Sequence, residues 1–228
     1  MQQLPFIRKD IQRPDPELVK RASTYQAAIL ADVGGRRGTL GGTIQSRVPG
    51  LKVAGPAFTV EVRPGDNLMF HAALALAQPG DVIVVDGKGD LTSALCGTIM
   101  VTQAQASGLA GFVVDAATRD TEEIAVGTFP VFSAGTNPNG PTKALGGRIN
   151  WPVTLAGTTV NPGDLIIGDD DGVVVVPLAN IEEILELAEK KVQAEAKRIA
   201  EIQNGNLGAP WLNDALIQAG VLKKGETL

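Results

Sequence analysis

Gly111-Phe112-Val113-Val114-Asp115 leads through Ala116-Ala117-Thr118 into Arg119-Asp120-Thr121-Glu122-Glu123, and this stretch decides the fold. A short apolar run of this kind reads as a fully buried strand, and the acidic, capping-type residues after it read as a helix start. An arginine and a carboxylate then stand together where a strand turns into a helix. In an open α/β sheet, ligands bind at that C-terminal edge of the strands. Arginine grips carboxylates with two parallel hydrogen bonds, and aspartate supplies hard oxygen to Mg²⁺ or Mn²⁺. The pair suits a metal-assisted reaction on a small keto acid. Its plainer reading is a surface salt bridge at a helix N-terminus.

Working outward, the segments on either side extend the same pattern. Val82-Ile83-Val84-Val85-Asp86 is a second buried-type strand, with Gly87-Lys88-Gly89-Asp90 as the turn at its end. A helix is predicted from near Gly97-Thr98 to Ser107, with Gly108 as its left-handed stop. A short helix starts at Asp120, and Pro130-Val131-Phe132 forms the next strand. Strand, helix, strand, helix, strand with short connections is a parallel βαβαβ arrangement. Upstream, Pro14 to Leu30 has helical spacing, Asn67 to Ala77 reads as a helix, and Val53 to Val62 reads as a strand interrupted by Gly55-Pro56. Gly34 to Gly42 is a glycine-rich loop carrying Arg36 and Arg37; it has neither the Walker A order nor the dinucleotide fingerprint, and reads as a flexible turn.

After Asn137-Pro138-Asn139-Gly140 the pattern changes to β. Val153 to Val160, Asp164 to Gly168 and Val173 to Val176 are expected strands. Asp169-Asp170-Asp171-Gly172 between the last two tempts a metal assignment, but a tight hairpin needs such turn residues. Asn180, with Glu183 three residues on, opens a long C-terminal helix. Ile181, Leu185, Ala188, Val192, Glu195, Ile199 and Ile202 share one seam of it, apolar except for Glu195. A carboxylate on a packing stripe is costly unless something satisfies it. Either Lys191 or Arg198 pairs with it, or it points into a neighbouring subunit's site. Gly205 to Leu228 reads as a short cover or arm anchored by Trp211, Leu212, Leu216 and Val221. The expected organisation is an α/β catalytic-type domain over 1–179, with 180–228 as a helix and arm of the same domain.

Composition narrows the function. The net charge of −5 advertises no basic surface for nucleic acid. A single cysteine, Cys96, excludes an intrachain disulfide framework and fits a reducing compartment. The first ten residues lack the apolar run of a signal peptide, and no stretch approaches the roughly 18 apolar residues of a membrane span. A soluble, cytoplasmic protein is the expectation.

Taken together, Pro64-Gly65-Asp66-Asn67, the Arg119-Asp120-x-x-Glu123 core, Asn161-Pro162-Gly163-Asp164 and the run from Asp169 to Pro177 resemble the class II pyruvate aldolases. These enzymes cleave 4-hydroxy-4-methyl-2-oxoglutarate and 4-carboxy-4-hydroxy-2-oxoadipate, and their superfamily also contains the regulator of ribonuclease activity A. The resemblance covers nearly the whole chain, and the helix around Glu195 fits the longer aldolase form. It implies a swivelling β/β/α-type fold with a parallel βαβαβ core, assembled as homotrimers or homohexamers with sites between subunits. It also implies that Asp120 holds a divalent metal, Mg²⁺ or Mn²⁺, and that Arg119 binds the substrate's pyruvyl oxygens and neutralises an enolate. Backbone N–H groups after Gly97, at Thr98, Ile99 and Met100, would receive the substrate carboxylate. Glu195 would reach toward the metal's water shell across a subunit boundary. The family aldolases carry an acid where this chain has Thr98, and a threonine cannot hold a metal-bound water as a carboxylate does. The implied activity is therefore a metal-dependent lyase on short 2-oxo acids; a non-catalytic, protein-binding regulator is the alternative.

Three further side chains invite chemistry. His71, the only histidine, could be a general base, but its Ala/Leu-rich helix favours a hydrogen-bonded, largely buried ring. Lys88 could form a Schiff base, yet no apolar setting that would lower its pKa is visible. Cys96 has no histidine near it in sequence and reads as a small packing residue.

Overall fold

The computed structural model describes residues 6–228 and opens with two helices, α1 (Pro16–Ala22) and α2 (Ala27–Val33). The single helix expected over Pro14 to Leu30 is thus divided. The Ser23 and Thr24 hydroxyls turn back onto the carbonyls of Lys20 and Arg21, which ends the first helix. The Asp169 carboxylate accepts from the Ala27 N–H at 2.9 Å, which starts the second in a new direction.

The sheet elements and the helices between them follow in order: β1 (Gln45–Ser46), β2 (Val53–Glu61), α3 (Leu68–Leu76), β3 (Val82–Cys96), α4 (Thr98–Ala106), β4 (Gly111–Thr118), α5 (Thr121–Ala125) and β5 (Val131–Thr136). Strands β2, β3, β4 and β5 pair in parallel, which is the βαβαβ arrangement expected. The remaining strands are β6 (Arg148–Ile149), β7 (Val153–Leu155), β8 (Thr158–Val160), β9 (Leu165–Asp169) and β10 (Gly172–Val176). The main sheet runs β1-β5-β4-β3-β2-β9-β10, with β6 also on β2.

Three strand expectations are corrected. Gly55-Pro56 does not interrupt β2; it marks where the strand changes partner, from antiparallel β9 over Val53–Pro56 to parallel β3 from Ala57. A Cβ at Gly55 would run into the Gly80 carbonyl, so glycine permits the close approach. The turn at Gly87–Asp90 does not end β3. Lys88 and Gly89 enter the left-handed region, and the chain then re-pairs with β4 through Asp90, Ala94 and Cys96. Val153 to Val160 is a hairpin rather than one strand, because Ala156 and Gly157 both have positive φ, as a two-residue primed turn requires. The triple aspartate is the β9–β10 hairpin turn, as read, with Gly172 opposite Asp169.

Apolar side chains fill both faces of the sheet. Phe58, Phe70, Phe112 and Ile83 are fully buried on one side, with Phe112 in edge contact with Phe70 and Phe129. Val84, Val113, Phe132 and Ile166 lie on the other. The N-terminal segment is tied down where Arg13 forks onto the buried Asp81 with two bonds of 2.8 Å.

The chain divides into two compact units, one ending at Glu189 and the other Lys190–Leu228. A short turn at Leu178–Asn180 leads into α6 (Ile181–Gln203), whose Ile181, Leu185 and Ala188 are buried in the first unit. In the second unit Val192, Ile199 and Ile202 are exposed, and Arg198 closes the helix end by donating to the carbonyls of Asn206, Leu207 and Gly208. There α7 (Leu212–Gln218) follows; Leu212 and Leu216 are partly covered, whereas the expected anchors Trp211 and Val221 are exposed.

Candidate functional site

The C-terminal ends of β3 and β4 set the site. Strand β4 delivers Arg119 and Asp120, and the Arg119 N–H donates to the Cys96 carbonyl at the end of β3. Asp120 then takes φ 58° and ψ 37°, the left-handed region, immediately before α5. A non-glycine residue pays about 1 kcal/mol or more for that conformation, less for aspartate, and such outliers gather where a side chain must be aimed. The aim is visible: Asp120 Oδ2 accepts the Thr98 N–H at 3.0 Å and stands 3.9 Å from Arg119 Nε. Gly97 makes room, since a Cβ there would overlap Asp120 Oδ2. Gly140 does the same for the guanidinium, because a Cβ on it would lie 2.9 Å from Arg119 Nη1.

These side chains border a cavity of about 170 Å³ whose lining includes Arg119, Asp120, Gly97, Cys96, Ile99 and Met100. That volume suits a small molecule of a few heavy atoms. A larger cavity, about 640 Å³, lies beside α2 and the β9–β10 turn. It carries Asp170 and Asp171 but no cationic side chain, so it offers no counterpart to the arginine and aspartate. Arg37 borders a separate cavity with Gly38 and Asp164, and the glycine-rich loop docks on β10, with the Val175 N–H donating to the Gly38 carbonyl at 2.8 Å.

Three residues that motif reading did not join to the pair also line the small cavity: Asn67, His71 and Lys143. Asn67 is 3% exposed; its Nδ2 donates to the Leu95 carbonyl and contacts Met100 Sδ, while Oδ1 has no partner among the described residues. Burial first, and then the Lys143 charge, lower the His71 pKa, which keeps the ring neutral near pH 7. His71 is therefore a pocket residue, only half-buried, where a largely buried ring was expected. Asn67, at the N-cap position of α3, and His71 within it fall four apart, a spacing that signals a shared face. Nothing local in the sequence points to Lys143.

The remaining expectations fall out as follows. Of the three N–H groups after Gly97, that of Thr98 is committed to Asp120 and that of Met100 to the Gly97 carbonyl. The Ile99 N–H has no such bond among the described residues. Thr98 Oγ1 is buried without a partner among the described residues. Glu195 lies in the second unit and pairs with Lys191 at 3.1 Å, one of the partners considered for it. Lys88 bonds Asp86 at 2.6 Å and sits 3.7 Å from Glu61; burial alone would lower its pKa, but these carboxylates raise it, the wrong direction for a Schiff-base nucleophile. Cys96 is buried, and burial, with the Asp120 charge adding to it, pushes its thiol up to about 12.

Fold and site together define an α/β protein with an arginine–aspartate pocket at the C-terminal edge of a parallel sheet. The RraA-like family profile, described as Aldolase/RraA, matches residues 20–175, and the chain belongs to that family. A protein of Halalkalibacterium halodurans, provisionally named a 4-hydroxy-4-methyl-2-oxoglutarate aldolase, is 46% identical over 140 residues, spanning 61% of this chain and 67% of that protein. The crystal structure of Streptomyces coelicolor RraAS2, described as an unusual member of the RNase ES inhibitor RraA family, superposes with a TM-score of 0.75 at 33% identity, covering 83% of this chain and 98% of that one. The RNA-processing inhibitor RraA of Thermus thermophilus gives a TM-score of 0.62 at 29% identity, covering 67% and 93%. Among the described residues no helix is long and apolar enough to cross a membrane.

Proposed function

We propose that this chain is a cytoplasmic, divalent-metal-dependent lyase that releases pyruvate from short 2-oxo acids through an enolate. The observation that carries the reading is the aimed pair: Asp120 held in a left-handed conformation beside Arg119, over a small cavity that also receives Lys143 and His71. A purely structural ion pair at a helix start needs no strained backbone and no cavity.

The residues present fit a metal held mainly by water. Among the described residues Asp120 is the only carboxylate bordering the cavity, its side chain is 39% exposed, and no group of three His, Cys, Asp or Glu side chains converges. Mg²⁺ tolerates this, since it keeps several waters and is commonly bound through one or two carboxylates. Asp120 would hold it, with Glu195 of a neighbouring copy as the candidate addition from the family resemblance. When bound, the ion supplies Lewis acidity to the keto group.

The chain's own side chains do the rest. Arg119 and Lys143 place two positive charges around the cavity, which selects an anionic substrate and offsets charge as it develops on the enolate oxygen. In oxaloacetate the C3–C4 bond breaks, CO₂ leaves, the electron pair moves onto the enolate oxygen, and C3 then takes a proton to give pyruvate. Retro-aldol cleavage of 4-hydroxy-4-methyl-2-oxoglutarate needs, in addition, removal of the C4 hydroxyl proton. Thr98 cannot take that proton, so decarboxylation is the easier reaction for this site.

Ile99, which lines the cavity, is 79% exposed, and Leu145 and Leu68, near Lys143 and Asn67 in sequence, are 48% and 39% exposed. Exposed apolar side chains beside a charged pocket suit coverage by a second copy of the chain, in a trimer or hexamer. The deciding assay is pyruvate release from oxaloacetate with Mg²⁺ or Mn²⁺, with and without a chelator. Chelator-sensitive release is expected. Its absence, together with tight binding to a ribonuclease, would favour the non-catalytic regulator that the RraA relatives suggest.

A further inference from the structure

The segment over 141–147 has no strand to hold it until β6, and Thr142, Lys143 and Ala144 are all exposed. A single buried side chain collects three of the bonds that fix it. Asp66, 1% exposed, sits just ahead of α3, and its Oδ2 accepts from Thr142 Oγ1 at 2.7 Å, the Ala144 N–H at 2.7 Å and the Leu145 N–H at 3.2 Å. Its Oδ1 takes the Leu68 N–H at 3.0 Å, capping α3. The backbone adds two bonds at the same spot, Thr142 N–H to the Gly65 carbonyl at 2.8 Å and Asn67 N–H to the Thr142 carbonyl at 3.0 Å. The residues on both sides of Lys143 are therefore bound to one oxygen. The side chain between them borders the cavity with Arg119 and His71.

We propose that Asp66 is a positioning residue: it ties the 142–145 strap to the start of α3 and thereby holds Lys143 at the anion pocket. The chemistry demands a carboxylate. Four donors converge on two oxygens, and a neutral amide would offer one acceptor and turn an NH₂ group toward donors. Burial would raise the Asp66 pKa, but the bonds from Ala144, Thr142, Leu68 and Leu145 hold it below the ordinary carboxylate value, so the acceptor is charged throughout the neutral range. Lysine has a flexible four-carbon stem, and an untethered loop beneath it would add a further ordering cost to each binding event. The strap removes that cost in advance. Asp66 touches neither substrate nor reacting atoms; it acts through Lys143.

The inference rests on the lyase reading for its kinetic arm and stands apart from it in two others. In Asp66→Asn, KM for oxaloacetate should rise about tenfold while kcat changes less than about threefold. Adding Asp66→Asn to Lys143→Gln should cost almost nothing further, because both remove the same interaction. Independent, multiplying effects of the two substitutions, or unchanged KM, would overturn the proposal. Amide hydrogen exchange at Ala144 and Leu145, read without substrate, should speed up at least about tenfold in Asp66→Asn; unchanged exchange overturns the strap whatever the turnover. Oxalate binding by calorimetry should weaken equally in Asp66→Asn and Lys143→Gln. Should wild type bind oxalate and release no pyruvate, the lyase reading fails while that weakening still supports the strap; undiminished oxalate affinity overturns it. Thr142→Val, which removes one strap donor and leaves the α3 cap intact, should shift KM and exchange in the same direction and serves if Asp66→Asn does not fold.

Discussion

Replacing Asp120 separately by alanine and by glycine tests whether its backbone serves the site or the fold. Both substitutions remove the carboxylate that accepts the Thr98 N–H at 3.0 Å. A bond to a charged group contributes about 1.5–3 kcal/mol when shielded, and with the side chain 39% exposed, water replaces much of it, leaving roughly 1 kcal/mol. The backbone separates the two variants. At φ 58°, alanine bears a left-handed penalty of about 1 kcal/mol that glycine does not. Aspartate already bears part of that penalty, so Asp120→Ala should lose about 1–2 kcal/mol and Asp120→Gly about 1 kcal/mol less than alanine does. With a Tm shift of about 2–4 °C per kcal/mol for a chain of this size, the glycine variant should melt a few degrees above the alanine variant. Both should lose metal-dependent pyruvate release to the background level. Urea denaturation and a coupled pyruvate assay on the same preparations give both readouts. Wild-type turnover in either folded variant, or an alanine variant more stable than the glycine one, would refute the reasoning.

Arg119→Lys keeps the charge but loses the planar fork, and kcat/KM for oxaloacetate should fall on the order of 10²-fold; near-normal kinetics would assign Arg119 to solubility or structure. Mixing Asp120→Ala subunits with Glu195→Ala subunits, each inactive alone, should restore part of the activity if hybrid sites receive both wild-type groups; verified exchange without recovery removes Glu195 from the site. Wild type should prefer oxaloacetate over 4-hydroxy-4-methyl-2-oxoglutarate, and Thr98→Asp should raise the aldol rate selectively, by roughly tenfold or more, whereas equal gains on both substrates would mean another group is the base. Cys96, with its thiol pushed up to about 12, should resist a thiol reagent at pH 8 in the folded protein and react fully in urea; rapid native labelling would contradict its burial.

Local rules carried much of this structure. The apolar run at Phe112–Val114, the helix start after Gly97, the left-handed stop at Gly108 and the hairpin at Asp169–Gly172 are all encoded within a few residues, by periodicity, capping and the conformational freedom of glycine. The juxtaposition of Arg119 and Asp120 at a strand end was legible for the same reason, since it depends only on where β4 stops. Tertiary structure alone decided what faces that pair. Asn67, His71 and Lys143 come from distant segments that meet only because β2, β3 and β4 align in parallel and the chain after β5 returns over their ends. The continuation of β3 past Lys88 likewise depended on a neighbour, because β4 extends to Thr118 and offers partners for Ala94 and Cys96. So did the start of the second helix, where Asp169 accepts the Ala27 N–H from 142 residues away. Residue patterns state which conformations each segment prefers; which segment satisfies another's donors, cavities and charges is a property of the sheet order, and no local signal contains it.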